Sequence, residues 1–196
     1  GKRKIIEDVL VEFKEMFVSM DCSNKVTKKR LIEDYSLLNN TPGTVVLHEA
    51  QYLNNLGQIV QSVLIGEIKA TVIFCCSFRP KLEPELLDVL RRKELEINLF
   101  APSFYESAQH FGLVEEERLL EERLIYGNYP EVLADLEMAE TKLREIIQDA
   151  IFTNLSGEER INKGDKLMRM LQLLAFNIGD TVSYNDIAER CGLDNE

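Results

Sequence analysis

The chain has 196 residues, of which 45% are hydrophobic and 29% charged, and its formal net charge is −11 with a pI of about 4.8. This composition is typical of a soluble globular protein with one large domain, or one domain and a small appendage. The acidic balance argues against broad electrostatic capture of nucleic acid or of an anionic membrane.

The cysteines, the histidines and the apolar segments of the chain further limit the class of protein. No stretch approaches the roughly 18 apolar residues of a membrane span, and no charged-then-apolar leader opens the chain. The four cysteines form no CxxC pair and there are only two histidines, which argues against a zinc site. We therefore expect a cytoplasmic protein with free thiols, no metal site and no membrane partner.

Predicted helices and strands alternate across the first hundred residues. Apolar residues at helical spacing predict a helix that begins within a residue or two of the amino terminus. The predicted strands are 16–21, 44–49, 70–77 and 95–100, and the further predicted helices are 28–39, 54–67 and 83–93. This alternation is typical of a parallel sheet with covering helices, and it predicts the α/β fold class.

After Pro102 the pattern becomes helical throughout. The predicted helices are 103–112, 114–127, 137–155 and 163–179, and another begins at about Tyr184. The segment 180–193 looks like the opening of a helix-turn-helix or winged helix, a unit used to bind DNA or protein partners. We predict an α/β domain at 1–101, a helical region at 102–160 and the start of a winged-helix-like domain at 161–196.

Both ends of the sequence favour a piece of a longer protein. The chain opens on Gly1 without a methionine and enters a helix at once, and it stops soon after a helix with a glycine end signal at Gly192. We expect further sequence on both sides.

Polar side chains follow the predicted buried strands. The stretch TVVLHEAQYL (44–53) runs from four apolar or β-branched residues into His48 and Glu49, and VIFCCSF ends near Ser77. Carboxyl ends of parallel strands meet at one edge of a sheet, where nucleotides often bind. The opening Gly1 and Lys2, at the start of a helix, match the end of a phosphate-binding loop.

Taken in order, these residues resemble an AAA-type P-loop ATPase family of bacteria and archaea that carries a C-terminal helical, winged-helix-like region. The matching segments are GK at 1–2, VVLHEAQYL within 44–53, CCSFRP at 75–80, LRRKELEINLFAPSFYE at 90–106, RLIYGNYPEVL at 123–133 and MLQLLAFNIGDTVSYNDIAERCGL at 170–193. The resemblance implies a P-loop NTPase-like sheet that lacks the family's first strand, which in the family lies beside the strand ending at Ser77. It also implies ATP as the cofactor.

The resemblance also implies residue roles. Gly1 and Lys2 would bind phosphate, Glu49 would polarise the attacking water, and Ser77 would sense the γ-phosphate. Arg92, within the basic run 91–93, would touch the phosphate of a neighbouring subunit.

Two positions depart from the family pattern, and both would hold magnesium. Arg3 stands where the family has Thr or Ser, and His48 stands where it has Asp. Magnesium prefers hard oxygen ligands, and a guanidinium cannot ligate a cation. We therefore expect weak nucleotide binding through Lys2, Arg3 and His48, with slow or absent hydrolysis.

Three alternatives stay open at this point. The domain could be a non-catalytic module that binds a protein or DNA, in particular through its C-terminal segment. His48 and Glu49 could form a general-base pair for another hydrolysis, although no nucleophile with triad partners is visible. The basic run 24–30 is either a local anion-binding patch or a solvated helix start.

Overall fold

A computed structural model describes residues 2–155 and 164–192. The chain divides into two compact units, residues 1–100 and 101–196. Each unit is considered separately below, and the division falls where the predicted α/β pattern gives way to helices alone.

The first unit contains a three-stranded parallel sheet. Its strands are β1 (Phe17–Asp21), β2 (Thr44–His48) and β3 (Thr71–Phe74), and they lie in the order β1-β2-β3. Every residue of the central strand β2 is buried. The mixed α/β architecture with a parallel sheet is thereby confirmed.

Four helices and two short 3₁₀ segments cover the sheet. They are α1 (Lys2–Glu12), α2 (Lys25–Glu33), α3 (Leu56–Leu64) and α4 (Pro84–Arg92), with 3₁₀ segments at Tyr35–Asn40 and Ala50–Tyr52. Leu10 of α1 packs with Val46 on one face of the sheet. Leu31 of α2 and Ile59 of α3 pack with Leu47 on the other face. Successive residues of β2 point to opposite faces, so an apolar strand is buried on both sides.

The predicted fourth strand at 95–100 is wrong. This segment has no regular secondary structure, and among the described residues β3 pairs with β2 and with no other strand. Ile97 and Phe100 are 82% and 88% exposed. Alternating apolar residues make a strand only where a neighbouring strand satisfies the backbone, and here the pattern lacks that neighbour.

The second unit is helical in its described part. Its helices are α5 (Phe104–Phe111), α6 (Leu113–Arg118), α7 (Leu120–Tyr126), α8 (Pro130–Leu133), α9 (Ala139–Leu155), α10 (Gly164–Phe176) and α11 (Tyr184–Cys191). A capping box between Ser103 and Glu106 begins α5. The helix predicted at 114–127 is two helices, because the backbone leaves helical geometry at Leu119.

The end of the second unit carries part of the predicted helix-turn-helix. Ser183 caps α11, which begins at Tyr184 as expected, and the Lys166 ammonium donates to the Gly192 carbonyl. The helix that would follow Gly192 lies outside the described residues. The winged-helix domain at 161–196 therefore stays a prediction.

A buried ion pair joins α6 to α7. Arg123 donates to Glu116 through Nε at 3.0 Å and through Nη2 at 2.6 Å, and the two side chains are 5% and 1% exposed. The guanidinium also lies 5.9 Å from the centre of the Phe111 ring. Removing one partner of such a pair leaves a buried charge without compensation.

We predict that Arg123→Met destabilises the second unit by roughly 3–5 kcal/mol, the range for breaking a buried pair. Arg118→Met is the matched control, because the ion pair between Arg118 and Glu115, both in α6, is exposed. Urea unfolding followed by circular dichroism measures both. Equal losses in the two variants would show that burial of the Arg123 pair has no special weight.

Candidate functional site

The candidate site lies at the carboxyl edge of the sheet. In the strand register Asp21 lies beside His48, and Leu47 lies beside Phe74. The residues that follow the three strands therefore emerge together, as the sequence pattern predicts. Backbone bonds from Cys22 N to His48 O (2.8 Å) and from Ala50 N to Cys75 O (3.0 Å) hold the three loops to one another.

Glu49 is fixed by a small network of neutral partners. Its backbone adopts a left-handed conformation, with φ 53° and ψ 39°, which turns the chain out of β2. Its carboxylate accepts from Ser77 Oγ at 2.7 Å and from Gln51 Nε2 at 2.6 Å. The Ser77 backbone N–H donates in turn to Gln51 Oε1 at 3.3 Å. Both carboxylate oxygens are thus engaged.

Lys2 reaches the same loop from the start of α1. Its Nζ donates to the Cys76 carbonyl at 3.0 Å, one residue before Ser77. The structure therefore brings together Lys2, Glu49 and Ser77, three residues that the sequence assigns to one site. The ammonium is held by a neutral acceptor.

Arg3 and His48, the two departures from the family pattern, both face Glu7 of α1. Arg3 Nε donates to Glu7 Oε1 at 2.9 Å, and His48 Nε2 lies 3.8 Å from the same oxygen. Ser19 Oγ of β1 also donates to this oxygen, at 3.4 Å. The hydrogen bond from Arg3 lowers the pKa of the Glu7 carboxyl. We call Arg3, Glu7 and His48 the charge triplet.

His48 is buried at the rim of the sheet and makes no hydrogen bond through Nε2 to any described residue. Burial lowers the pKa of His48, and the Arg3 guanidinium lowers it further. The carboxylates of Glu7, Asp21 and Glu49 act in the opposite direction. A neutral imidazole is therefore the form that the folded protein favours.

The charge triplet does not fit a magnesium ion. Magnesium binds oxygen ligands in octahedral geometry, whereas the triplet offers one carboxylate that a guanidinium already neutralises and one imidazole. Within residues 2–155 and 164–192 no group of three histidine, cysteine or acidic side chains has metal-binding geometry.

Asp21 closes the turn after β1. Its Oδ1 accepts from the Ser23 backbone N–H at 2.8 Å and from Ser23 Oγ at 2.6 Å. Asn24 then begins α2 by accepting from the backbone N–H groups of Val26 and Thr27. Asp21 has a local structural role here.

Three cysteines lie at the same edge, because Cys22 follows β1 and Cys75 and Cys76 follow β3. Burial raises the pKa of Cys22 to about 12 and that of Cys75 to about 11, and it also raises the pKa of Cys76. A thiol is nucleophilic only as the thiolate, so these cysteines are inert near neutral pH. They are free thiols, as expected from the sequence.

The remaining predicted site residues lie apart from this network or outside it. Arg92 is exposed on the last turn of α4, where its Nε donates to the Asp88 carbonyl at 3.2 Å. Among the hydrogen bonds and ion pairs of the described residues, none joins Arg92 to Glu49 or Ser77. Gly1 lies outside the described residues. His110, which was not predicted to belong to the site, is exposed on α5.

Sequence reasoning missed Glu7 and Gln51. Glu7 stands four residues after Arg3 on one helix, which is the spacing of a helical ion pair. Gln51 stands two residues after Glu49, within reach of its carboxylate once the chain turns. The first signal was readable from the sequence, but the second required the left-handed turn at Glu49.

Comparison with known proteins reaches only the second unit. Residues 117–196 match the model of a domain of unknown function, DUF8612. No curated protein and no solved structure matches the chain. The matched segment begins within α6 and does not include the sheet or its carboxyl edge. In the described residues, no helix combines the length and apolar character that crossing a membrane requires.

We predict that acid destabilises the folded chain in part through His48. The unfolded chain takes up a proton near pH 6.5, whereas the folded chain resists protonation until a lower pH. The stability from neutral His48 is therefore complete above pH 6.5 and is lost as the pH falls through the lowered pKa, by at most about 1.4 kcal/mol per pH unit.

Urea unfolding between pH 7 and pH 5.5 measures this effect. The stability of His48→Gln should fall less over this range than that of the unchanged protein, and His110→Gln should behave like the unchanged protein. The same fall in all three proteins would remove His48 as its source.

Proposed function

We propose that residues 2–100 form a degenerate AAA-type unit that binds ATP through Lys2 and hydrolyses it slowly or not at all. The observation that carries this proposal is the meeting of Lys2 and Glu49 on consecutive residues, Cys76 and Ser77. A phosphate-binding cation and a water-polarising carboxylate must converge in this way on one nucleotide.

The hydrogen bond that Lys2 makes to the Cys76 carbonyl is one that a phosphate oxygen could replace. Its ammonium donates to a neutral backbone carbonyl, and a phosphate oxygen is a stronger, charge-assisted acceptor. Arg3 supplies a second cation one residue away, although Glu7 neutralises much of its charge. Weak binding of a polyphosphate follows from this balance.

The hydrogen bonds that Glu49 accepts support slow hydrolysis of ATP. Its two oxygens already accept from Ser77 and Gln51, and these hydrogen bonds stabilise the carboxylate and make it a weaker base toward a water molecule. Ser77 is also the residue that would sense the γ-phosphate. Phosphate binding at Ser77 would therefore compete with its hold on Glu49.

The first test measures ATP binding by isothermal titration calorimetry on the full chain, with and without Mg²⁺. We predict saturable binding that Mg²⁺ does not strengthen. Lys2→Met should weaken it about 10- to 100-fold, which corresponds to the loss of a charged hydrogen bond of roughly 1.5–3 kcal/mol. Lys4→Met is the control, because Lys4 is exposed on the same helical turn.

Absence of ATP binding would overturn the proposal, as would equal weakening by Lys2→Met and Lys4→Met. Rapid hydrolysis of Mg-ATP by the unchanged protein would contradict the degenerate magnesium positions. Absence of binding would favour the non-catalytic protein- or DNA-binding module instead.

The second test rebuilds the magnesium positions. Arg3→Thr combined with His48→Asp places a hydroxyl and a carboxylate beside Glu7, and carboxylates that lie close together attract a divalent cation. We predict that this double variant gains Mg²⁺-dependent ATP binding and measurable phosphate release. Adding Glu49→Gln should abolish phosphate release and leave binding in place. Release that survives Glu49→Gln would remove Glu49 from the proposed role.

A further inference from the structure

Basic residues are concentrated in three short segments of an otherwise acidic chain. Residues 2–8, 21–30 and 77–82 hold nine of the 23 lysine and arginine residues and three of the 34 acidic ones. These 23 residues carry a net charge of +6, whereas the whole chain carries −11. The three segments therefore differ in sign from the rest of the protein.

The fold collects the three segments at the carboxyl edge of the sheet. The segment 21–30 follows β1 directly and contains most of α2, and 77–82 follows β3. The segment 2–8 opens α1, and Lys2 is bonded to the loop after β3. The ends of β1 and β3 are two strand spacings apart, about 10 Å. Residues far apart in sequence thus form one charged rim.

Several cations of this rim are available to a ligand. Lys25, Arg79 and Lys81 are exposed, and in the described part of the chain no carboxylate lies within ion-pair distance of them. Glu49, the acidic residue at the centre of the edge, is already engaged by Ser77 and Gln51. Glu7 is paired with Arg3, and Asp21 accepts from Ser23.

An aromatic ring lies among these cations. Phe78 is 44% exposed, and its ring meets that of Tyr52 edge to face at a centroid distance of 6.2 Å. Phe78 directly precedes Arg79, so a flat apolar surface adjoins an exposed guanidinium. Basic side chains around an exposed aromatic ring are the usual elements of a surface that binds single-stranded nucleic acid.

We propose that Lys25, Arg79 and Lys81, with Phe78, form a binding surface for single-stranded nucleic acid. The three cations contact the phosphate backbone and a base stacks on Phe78. The acidic remainder of the chain repels the strand beyond this surface, so binding is short-range and weak. This surface does not require Lys2 or bound ATP.

Fluorescence anisotropy of the full chain with a fluorescein-labelled 12-nucleotide oligothymidylate tests the proposal. The logarithm of the association constant should fall with the logarithm of salt concentration with a slope of about −2, since about 0.7 counterions are released per phosphate contact on a single strand. Lys25→Glu with Arg79→Glu should weaken binding at least tenfold. Lys81→Glu alone should weaken it to a smaller extent.

Two further variants assign the surface and the base contact. Phe78→Ala should weaken binding at least about fivefold, the lower end of the range for one stacked base. Arg144→Glu is the control, because it reverses an exposed charge on α9 in the second unit and should leave binding unchanged. Lys2→Met should weaken ATP binding much more than oligonucleotide binding, because Lys2 donates to the Cys76 carbonyl and is not one of the three proposed cations, and this difference separates the proposal from the nucleotide site. Far-ultraviolet circular dichroism confirms that each variant is folded.

Four results would overturn the proposal. The first is no binding at 25 mM salt, and the second is an equal effect of Arg144→Glu and of the double variant Lys25→Glu with Arg79→Glu. The third is a loss of binding caused by Arg190→Glu in α11 and not by the double variant. The fourth is binding to phosphatidylserine vesicles with which the oligonucleotide does not compete. The third result would assign binding to the helix-turn-helix segment, and the fourth would assign the rim to a lipid surface.

Discussion

The hydrogen bond from Ser77 to the Glu49 carboxylate holds the candidate site together. It ties the loop after β3 to the turn after β2, and Gln51 completes the connection by bonding to both residues. Because Lys2 bonds to the neighbouring Cys76 carbonyl, the start of α1 is held at the same loop. Three chain segments that are distant in sequence thus present their polar groups at one edge of the sheet.

The balance of charge around Glu7 determines what that edge can bind. Arg3 and His48 face Glu7, and together they occupy the place where the resemblance to AAA-type ATPases would put magnesium ligands. A guanidinium paired with a carboxylate is satisfied without a metal ion, and a buried imidazole favours its neutral form. The proposal of nucleotide binding without efficient hydrolysis rests on this internal pairing.

The sequence predicted the elements that depend on local pattern. The apolar run of β2 and the helical spacing in α1 and α3 were sufficient, because each pattern matches the period of its element. The strand predicted at 95–100 failed, because a strand also depends on a neighbour that local pattern does not reveal. The split at Leu119 interrupts a continuous helical pattern, and nothing in that pattern indicates it.

Within the site, the approach of Glu49 and Ser77 was predictable from strand ends, since parallel strands deliver their carboxyl ends to one edge. The assignment of Lys2 to the same site came from its match to a phosphate-binding loop and from the family resemblance. The role of Gln51 was not predictable, because it depends on the left-handed backbone at Glu49. The burial of His48 against α1 also required the three-dimensional arrangement. Charge clustering at the rim is visible only once the segments 21–30 and 77–82 are placed at the same edge of the sheet.

A crystal structure of the chain with bound ATP tests the central claim most directly. The account predicts a terminal phosphate oxygen within hydrogen-bond distance of Lys2 Nζ, the Cys76 carbonyl released, and Arg3, Glu7 and His48 still in contact without a metal ion between them. Nucleotide bound elsewhere while Lys2 remains on Cys76 would contradict it.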